Sequence, residues 1–79
     1  FIRCDMTGLV KIGFTENYPT SRLRQLQTGS GGGLHLLAFM RTRASREREL
    51  HRQFVAHHER GEWFRLEGQF AEWLRELDV

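Results

Sequence analysis

Lys11 is the only lysine of the chain, and it lies in an apolar segment, Leu9 to Thr15, that is typical of a β-strand. Because a strand directs successive side chains to opposite faces, Val10, Ile12 and Phe14 share one face and Lys11 points to the other. A lysine at such a position either protects an edge strand from aggregation or belongs to a functional site. The spacing alone favours edge protection and leaves the functional explanation open.

Glu47 is a second charged residue in a pattern that otherwise packs inward. The segment after Ser45 has helical spacing, and Leu50, His51 and Phe54 fall on the same helix face as Glu47. A carboxylate in the first turn of a helix is commonly explained by the helix dipole, an effect of about 0.3–1 kcal/mol. The spacing therefore leaves open whether Glu47 is a helix-terminal acid or a functional group.

Arginine supplies eleven of the twelve basic residues of the chain. Its planar guanidinium group donates paired hydrogen bonds to anionic oxygens, so an excess of arginine suits phosphate. The charge is also uneven, since residues 1–46 hold seven basic and two acidic residues, whereas residues 47–79 hold five and eight. Nucleic acid is therefore the first partner to consider, and a solvated, arginine-rich surface is the alternative.

Three strands and three helices are predicted to position these side chains, in the order β-β-α-β-α-α. The strands, of which the first two form a hairpin that pairs with the third, are predicted at Phe1–Cys4, Leu9–Phe14 and Leu34–Met40. The helices are predicted at Pro19–Thr28, from Ala44 or Ser45 to about His58, and from about Glu67 to Leu77. Gly29 ends the first helix, and residues 30–33 form a flexible connector. The segment Gly61–Phe64 follows a turn at Glu59 and Arg60, and its two aromatic residues close the core.

The length of the chain, 79 residues, limits it to one small domain. With 39% hydrophobic and 28% charged residues, its composition is that of a globular protein and not of a disordered one. The longest apolar run, Leu36 to Met40, is only five residues, so we expect no membrane partner. The single cysteine, Cys4, cannot form an internal disulfide, which favours a reducing, cytoplasmic location.

Four short motifs in this chain, taken together, resemble the GIY-YIG nuclease superfamily. In chain order they are Val10 to Thr15, Arg22-Leu23, Glu47 with Leu50-His51, and Gly61 to Phe64. The similarity is to the branch of phage open-reading-frame and meiotically up-regulated proteins, in which lysine stands in the tyrosine position of the second motif. It runs from Phe1 to about Leu66. An ordered set of four motifs is more specific than any one of them, so we expect residues 1–79 to form a single domain of this type.

The resemblance implies an α/β (α+β) fold in which a three-stranded antiparallel sheet is flanked by helices. It also implies a metal-dependent endonuclease that hydrolyses phosphodiester bonds of DNA. Lys11 would align with the tyrosine of the second motif, Arg22 with the phosphate-binding arginine, and Glu47 with the glutamate that binds the metal. Two roles stay open for His51, which either packs in the core or supports the residue that binds the metal.

The implied cofactor is Mg²⁺ or another divalent cation, held by Glu47 and by phosphate oxygens. Arg22 would clamp the phosphate, and Lys11 or a first-motif tyrosine would orient or deprotonate the attacking water. The other residues predicted to follow the DNA backbone are Arg3, Arg24, Arg41, Arg43 and Arg46. Many members of the superfamily carry an asparagine after the glutamate helix. This chain has the segment Glu62 to Phe64 there, and a role for Glu62 stays open.

Alternative functions follow from features that the resemblance does not cover. The first-motif tyrosine would immediately precede Phe1, so we expect a domain truncated at its N-terminus. We expect the chain as given to bind DNA weakly and to cleave it poorly or not at all, and further domains to exist in a longer parent protein. A DNA-binding module that does not cleave is the main alternative. A partner surface on the last helix, formed by Phe70, Trp73 and Leu77, is another. A zinc site from Cys4, His51, His57 and His58 is disfavoured, because no CxxC or HExxH spacing is present.

Overall fold

The computed structural model describes residues 1–28 and 33–77, so the predicted helix end at Gly29 and residues 30–32 of the predicted connector lie outside this part of the chain. Its central element is an antiparallel sheet of five strands: β1 (Ile2–Cys4), β2 (Leu9–Lys11), β3 (Leu34–Leu36), β4 (His58–Arg60) and β5 (Trp63–Arg65). The strands lie in the order β3-β1-β2-β5-β4. The predicted hairpin of β1 and β2 is confirmed, and β3 pairs with it through β1.

The prediction of a three-stranded sheet is wrong in strand number, because a second hairpin adds β4 and β5. All three residues of β4 are exposed, so the sequence has no apolar alternation there that would predict a strand. Gly61, with a φ of 53°, allows the chain to turn between the two strands. β5 pairs with β2, and Val10 lies opposite Phe64. Pairing with a distant strand, and not a local pattern, therefore makes these residues extended.

Three helices complete the α+β fold: α1 (Pro19–Thr28), α2 (Ser45–Gln53) and α3 (Gly68–Leu77). The bounds of α1 are those predicted. α2 ends before the predicted limit of His58, because a 3₁₀ turn at Val55–His57 and then β4 follow it. None of the helices in the described part of the chain has the length and apolar character needed to cross a membrane.

The core lies between one face of the sheet and the helices α2 and α3. Its buried residues are Val10, Ile12, Ala38, Leu50, Phe54, Phe64, Phe70 and Leu74. Trp73 and Leu77 of α3 also pack against this cluster. The apolar face of α3 is therefore covered by the core of its own domain, and the alternative of a partner surface on that helix is not supported.

The opposite face of the sheet carries a cleft. Ile2 pairs with Lys11 on one side and with Leu36 on the other, so these three side chains share a face. Arg22 and Leu26 of α1 line the cleft together with them. A hydrogen bond of 2.8 Å from the backbone N–H of Leu34 to the side-chain oxygen of Gln27 ties α1 to β3. The cleft thus lies on the sheet face that carries Lys11, and the core residues Ile12 and Leu50 also contribute to its lining.

Candidate active-site cleft

The cleft has a volume of about 740 Å³ and is formed by β2 and the segment that follows it, α1, the segment after β3 and the first turn of α2. Its charged lining residues are Lys11, Glu16, Arg22, Arg41, Glu47 and Glu62. Four of these, Lys11, Arg22, Arg41 and Glu47, are residues that the sequence predicted for a site. The fold therefore brings together groups from four separate stretches of the chain.

Lys11 occupies a central strand, because β2 lies between β1 and β5. Protection of an edge strand therefore does not explain this lysine. Its ammonium nitrogen Nζ lies 2.8 Å from Oε2 of Glu62, and its side chain is only 16% exposed. The same nitrogen lies 5.6 Å from the ring centre of Trp63, the residue opposite it on β5. Ion pairing and the cation–π contact together hold the ammonium group at the cleft.

Glu47 lies in the first turn of α2, and its side chain is 25% exposed. The backbone N–H of Phe14 donates a hydrogen bond to its carboxyl group, which also shares a hydrogen bond with Glu62. Burial, and then the adjacent Glu62, raise the pKa of Glu47, while the nearby His51 and the Phe14 N–H oppose this shift. A role for Glu47 at the helix terminus alone does not explain why a second carboxyl group, that of Glu62, lies beside it.

Glu62 links the two charged groups that the sequence singled out. The hydrogen bond from Lys11 is the main reason that the pKa of Glu62 is lowered. The pKa of Glu47 is raised and that of Glu62 is lowered, so Glu47 is the more basic of the two carboxyl groups. Glu62 therefore lies between Lys11, with which it forms an ion pair at 2.8 Å, and Glu47.

The oxygen atoms of this carboxyl pair suit a hard divalent cation, which prefers oxygen ligands. Two adjacent carboxyl groups also concentrate negative charge that a cation would neutralise. Within residues 1–28 and 33–77, no group of three or more His, Cys, Asp or Glu side chains is arranged to hold a metal ion. The donor set fits a cation such as Mg²⁺, which binds one or two carboxylates and keeps several waters. It does not support a zinc site.

His51 connects α2 to the end of β2. Its Nε2 lies 2.8 Å from the carbonyl oxygen of Ile12, which accepts the hydrogen bond. Its ring meets the ring of Phe64 edge-on, with 4.9 Å between the ring centres. The distance from Nε2 to Oε1 of Glu47 is 3.8 Å, longer than a hydrogen bond. His51 thus places the helix that carries Glu47, but it does not line the cleft.

The predicted DNA-binding arginines divide into two groups. Arg22, half-buried on α1, and Arg41, exposed in the segment after β3, line the cleft. Those outside the cleft lining are Arg3, Arg24, Arg43 and Arg46. Arg3 of β1 lies opposite Val10 of β2, so the side chain of Arg3 is on the sheet face away from Lys11. Arg46 forms a hydrogen bond of 3.4 Å with Glu49 on its own helix.

Glu62 is the site residue for which the sequence analysis assigned no role. Its signal was the motif Gly-Glu-Trp-Phe, in which the aromatic residues had a packing explanation and the acid had none. The contact with Lys11 arises because β5 pairs with β2 and places Trp63 opposite Lys11. A local sequence pattern does not contain that pairing.

Comparison with known protein families gives one match. Residues 3–78 match the model of the T5orf172 domain, a phage-related domain associated with nuclease-type proteins. The matched range includes all the charged residues of the cleft. No curated protein and no solved structure matches the chain.

Proposed function

Because this chain belongs to the T5orf172 domain family, we propose that it is a GIY-YIG-type endonuclease domain that hydrolyses DNA phosphodiester bonds with a divalent cation. The observation that carries the proposal is the convergence of Lys11, Arg22 and Glu47 on one cleft from three different elements. Hydrolysis of a phosphodiester requires stabilisation of negative charge around the phosphorus, a positioned water and help for the departing oxygen. The cleft holds side chains suited to each requirement.

Glu47 is the residue that would hold the cation, with Glu62 beside it. Burial and the adjacent Glu62 raise the pKa of Glu47, which means that its ionised form is unfavourable there, and a bound cation would stabilise that form. The chemistry that bound Mg²⁺ supplies is neutralisation of phosphate charge and activation of water. Such an ion takes its remaining ligands from water and from phosphate oxygens, so one or two protein carboxylates suffice.

Arg22 would bind the phosphate that is cleaved. Its guanidinium group carries several N–H donors in a fixed plane, which match the oxygens of a phosphate. Lys11 would orient the attacking water or a phosphate oxygen from the other side of the cleft lining. Glu62, 2.8 Å from the Lys11 ammonium nitrogen, acts as a positioning residue, because it limits where that nitrogen can lie.

The test is the nicking of supercoiled plasmid in Mg²⁺ by the chain itself and by the chain preceded by a tyrosine. Phe1 lines the cleft, and its carbonyl oxygen accepts a hydrogen bond of 2.8 Å from the N–H of Leu37, so an added residue would lie close to the cleft. We expect nicking, stronger for the extended chain, and a loss of at least about 100-fold in Glu47→Gln.

The matched control for this test is Glu72→Gln, which removes an exposed carboxylate from α3 on the core side of the domain. This variant should nick as the unchanged chain does. Circular dichroism of both variants would show that the fold is retained. Nicking by Glu47→Gln at the rate of the unchanged chain would contradict the assignment of Glu47.

A DNA-binding module that does not cleave is the second candidate. It is favoured by the two arginines that line the cleft and by the small number of metal-binding groups among residues 1–28 and 33–77. The measurement that separates the candidates is dependence on Mg²⁺. Binding of DNA in the presence of a chelator, with no nicking in Mg²⁺ by either form of the chain, would favour the binding module.

A further inference from the structure

Two exposed aromatic rings lie on the cleft. Tyr18 is 79% exposed and Phe39 is 63% exposed, and both line the cleft next to its charged residues. Within residues 1–28 and 33–77, the other exposed large hydrophobic residues, Met6, Val55 and Leu66, lie outside the cleft lining. Single exposed apolar residues are ordinary on protein surfaces, whereas two aromatic rings on one charged cleft indicate a surface that binds a ligand.

Each ring lies close in the chain to an arginine of the same cleft. The carbonyl oxygen of Tyr18 accepts hydrogen bonds from the backbone N–H groups of Ser21 (3.0 Å) and Arg22 (3.2 Å). Tyr18 is therefore held at the start of α1, one helical turn before Arg22. Phe39 precedes Arg41 by two residues in the segment after β3. The cleft thus presents two pairs, each made of an aromatic ring and a guanidinium group.

The faces of both rings are available to a ligand. The aromatic ring contacts of the described residues all lie within the set Phe1, His51, Phe54, His58, Phe64, Phe70 and Trp73. Tyr18 and Phe39 take part in none of these contacts. An exposed aromatic face beside a phosphate-binding arginine is the arrangement by which proteins hold unpaired nucleotides, because every base has a flat face that can stack.

We propose that this cleft binds an unpaired segment of DNA, with bases stacked on Tyr18 and Phe39 and adjacent phosphates on Arg22 and Arg41. The proposal rests on the proposed function, since it names the form of DNA that the same cleft takes. Bases in a duplex are stacked on one another, and their faces are not accessible to side chains. The two rings would therefore contribute little to duplex binding, whereas single-stranded or locally opened DNA would use both.

The test is the affinity of the chain for a short labelled single strand and for the duplex of the same sequence, measured by fluorescence anisotropy with a chelator present. We expect the single strand to bind at least about 5-fold more tightly than the duplex. Tyr18→Ala and Phe39→Ala should each weaken single-strand binding by roughly 5- to 10-fold and duplex binding by less than about 2-fold. Tyr18→Phe keeps the ring and should therefore lose much less single-strand affinity than Tyr18→Ala does.

Met6→Ala and Val55→Ala are the matched controls, because these side chains are as exposed as the two rings but lie outside the cleft. Neither control should change single-strand binding. Salt dependence gives a second measurement: the ring variants should keep the slope of log affinity against log salt, whereas Arg22→Ala should reduce its magnitude by roughly 0.7.

Three results would overturn the proposal: no preference of the unchanged chain for the single strand, equal losses in single-strand and duplex binding by the ring variants, or losses in the controls as large as those in the ring variants. The chelator removes cleavage from this assay. Failure of stacking is therefore distinguishable from failure of the endonuclease proposal, which is decided by the nicking assay with Glu47→Gln.

Discussion

The two faces of the paired strands β2 and β5 differ in almost every physical property. Val10 and Phe64 lie opposite each other on one face, are completely buried and contact the helices α2 and α3 through the core. Lys11 and Trp63 lie opposite each other on the other face and are partly buried, and Lys11 lines the cleft. Neighbours in the sequence therefore occupy a dry core and a charged cleft. One strand pair can serve stability with one face and chemistry with the other.

The distribution of charge follows the same division. Among the residues that the structure describes, every buried side chain is hydrophobic. The cleft face instead carries a lysine and two carboxyl groups in contact, and the pKa values of the two carboxyl groups shift in opposite directions. Shifted pKa values of this kind are common at functional sites. Substitutions on the two faces should accordingly affect different measurements.

The largest effect should come from Phe64→Ala on the core face. Phe64 contacts the rings of His51, His58 and Phe70, and its removal leaves a cavity in a small core. We expect the free energy of unfolding to fall by about 3–5 kcal/mol. Trp63→Ala, on the cleft face, should cost only about 1–2 kcal/mol, because Trp63 is already partly exposed. Urea unfolding of both variants measures the difference, and equal losses would remove the distinction between the faces.

The second-largest effect should be on the nicking rate and should distinguish two arginines of α1. Arg22 lines the cleft and is half-buried, whereas Arg24 is exposed outside it, about 200° around a helix of ~3.6 residues per turn. Arg22→Ala should slow Mg²⁺-dependent nicking by roughly 100-fold, since it removes a donor to the phosphate. Arg24→Ala should slow it by less than about 3-fold. Similar losses in the two variants would mean that both arginines act only as surface charge.

The smallest effect is a dependence of stability on pH. The folded-state pKa of Glu47 lies above its ordinary value of 4.5, so between these two values the folded chain binds more protons than the unfolded chain. Stability therefore falls as the pH rises through this window. Glu47→Gln removes the titrating group and should raise the free energy of unfolding by about 0.5–2 kcal/mol at neutral pH in the absence of metal.

The measurement is thermal unfolding of the unchanged chain and of Glu47→Gln, with a chelator, at about pH 7 and about pH 4. The stabilisation of the variant should shrink at the lower pH, where Glu47 is protonated in both the folded and the unfolded chain. Glu62 has a lowered pKa, so its own contribution is present above 4.5 and is lost only below that value. If Glu47→Gln were less stable than the unchanged chain at neutral pH, the explanation that burial of the Glu47 carboxylate lowers stability would be contradicted.

The sequence alone determined the elements whose patterns are local. α1 has its predicted bounds of Pro19–Thr28, because a proline suits the first turn and apolar residues follow at helical spacing. The alternation predicted over Leu9–Phe14 correctly placed Val10 and Ile12 in the core, but β2 ends at Lys11 and Phe14 lines the cleft. Lys11 and Glu47 could be singled out for the same reason, since each is a charge inside an otherwise apolar pattern.

Only the tertiary structure decided which segments pair and what the charged residues contact. β4 and β5 were missed because an exposed, charged segment has no periodicity that predicts a strand, and β5 forms by pairing with β2 from far along the chain. That same pairing puts Lys11 in a central strand and Glu62 within 2.8 Å of it. Hydrogen bonding between strands joins residues that are distant in sequence, so neither the partner of Lys11 nor the cleft that holds it could be predicted from local spacing.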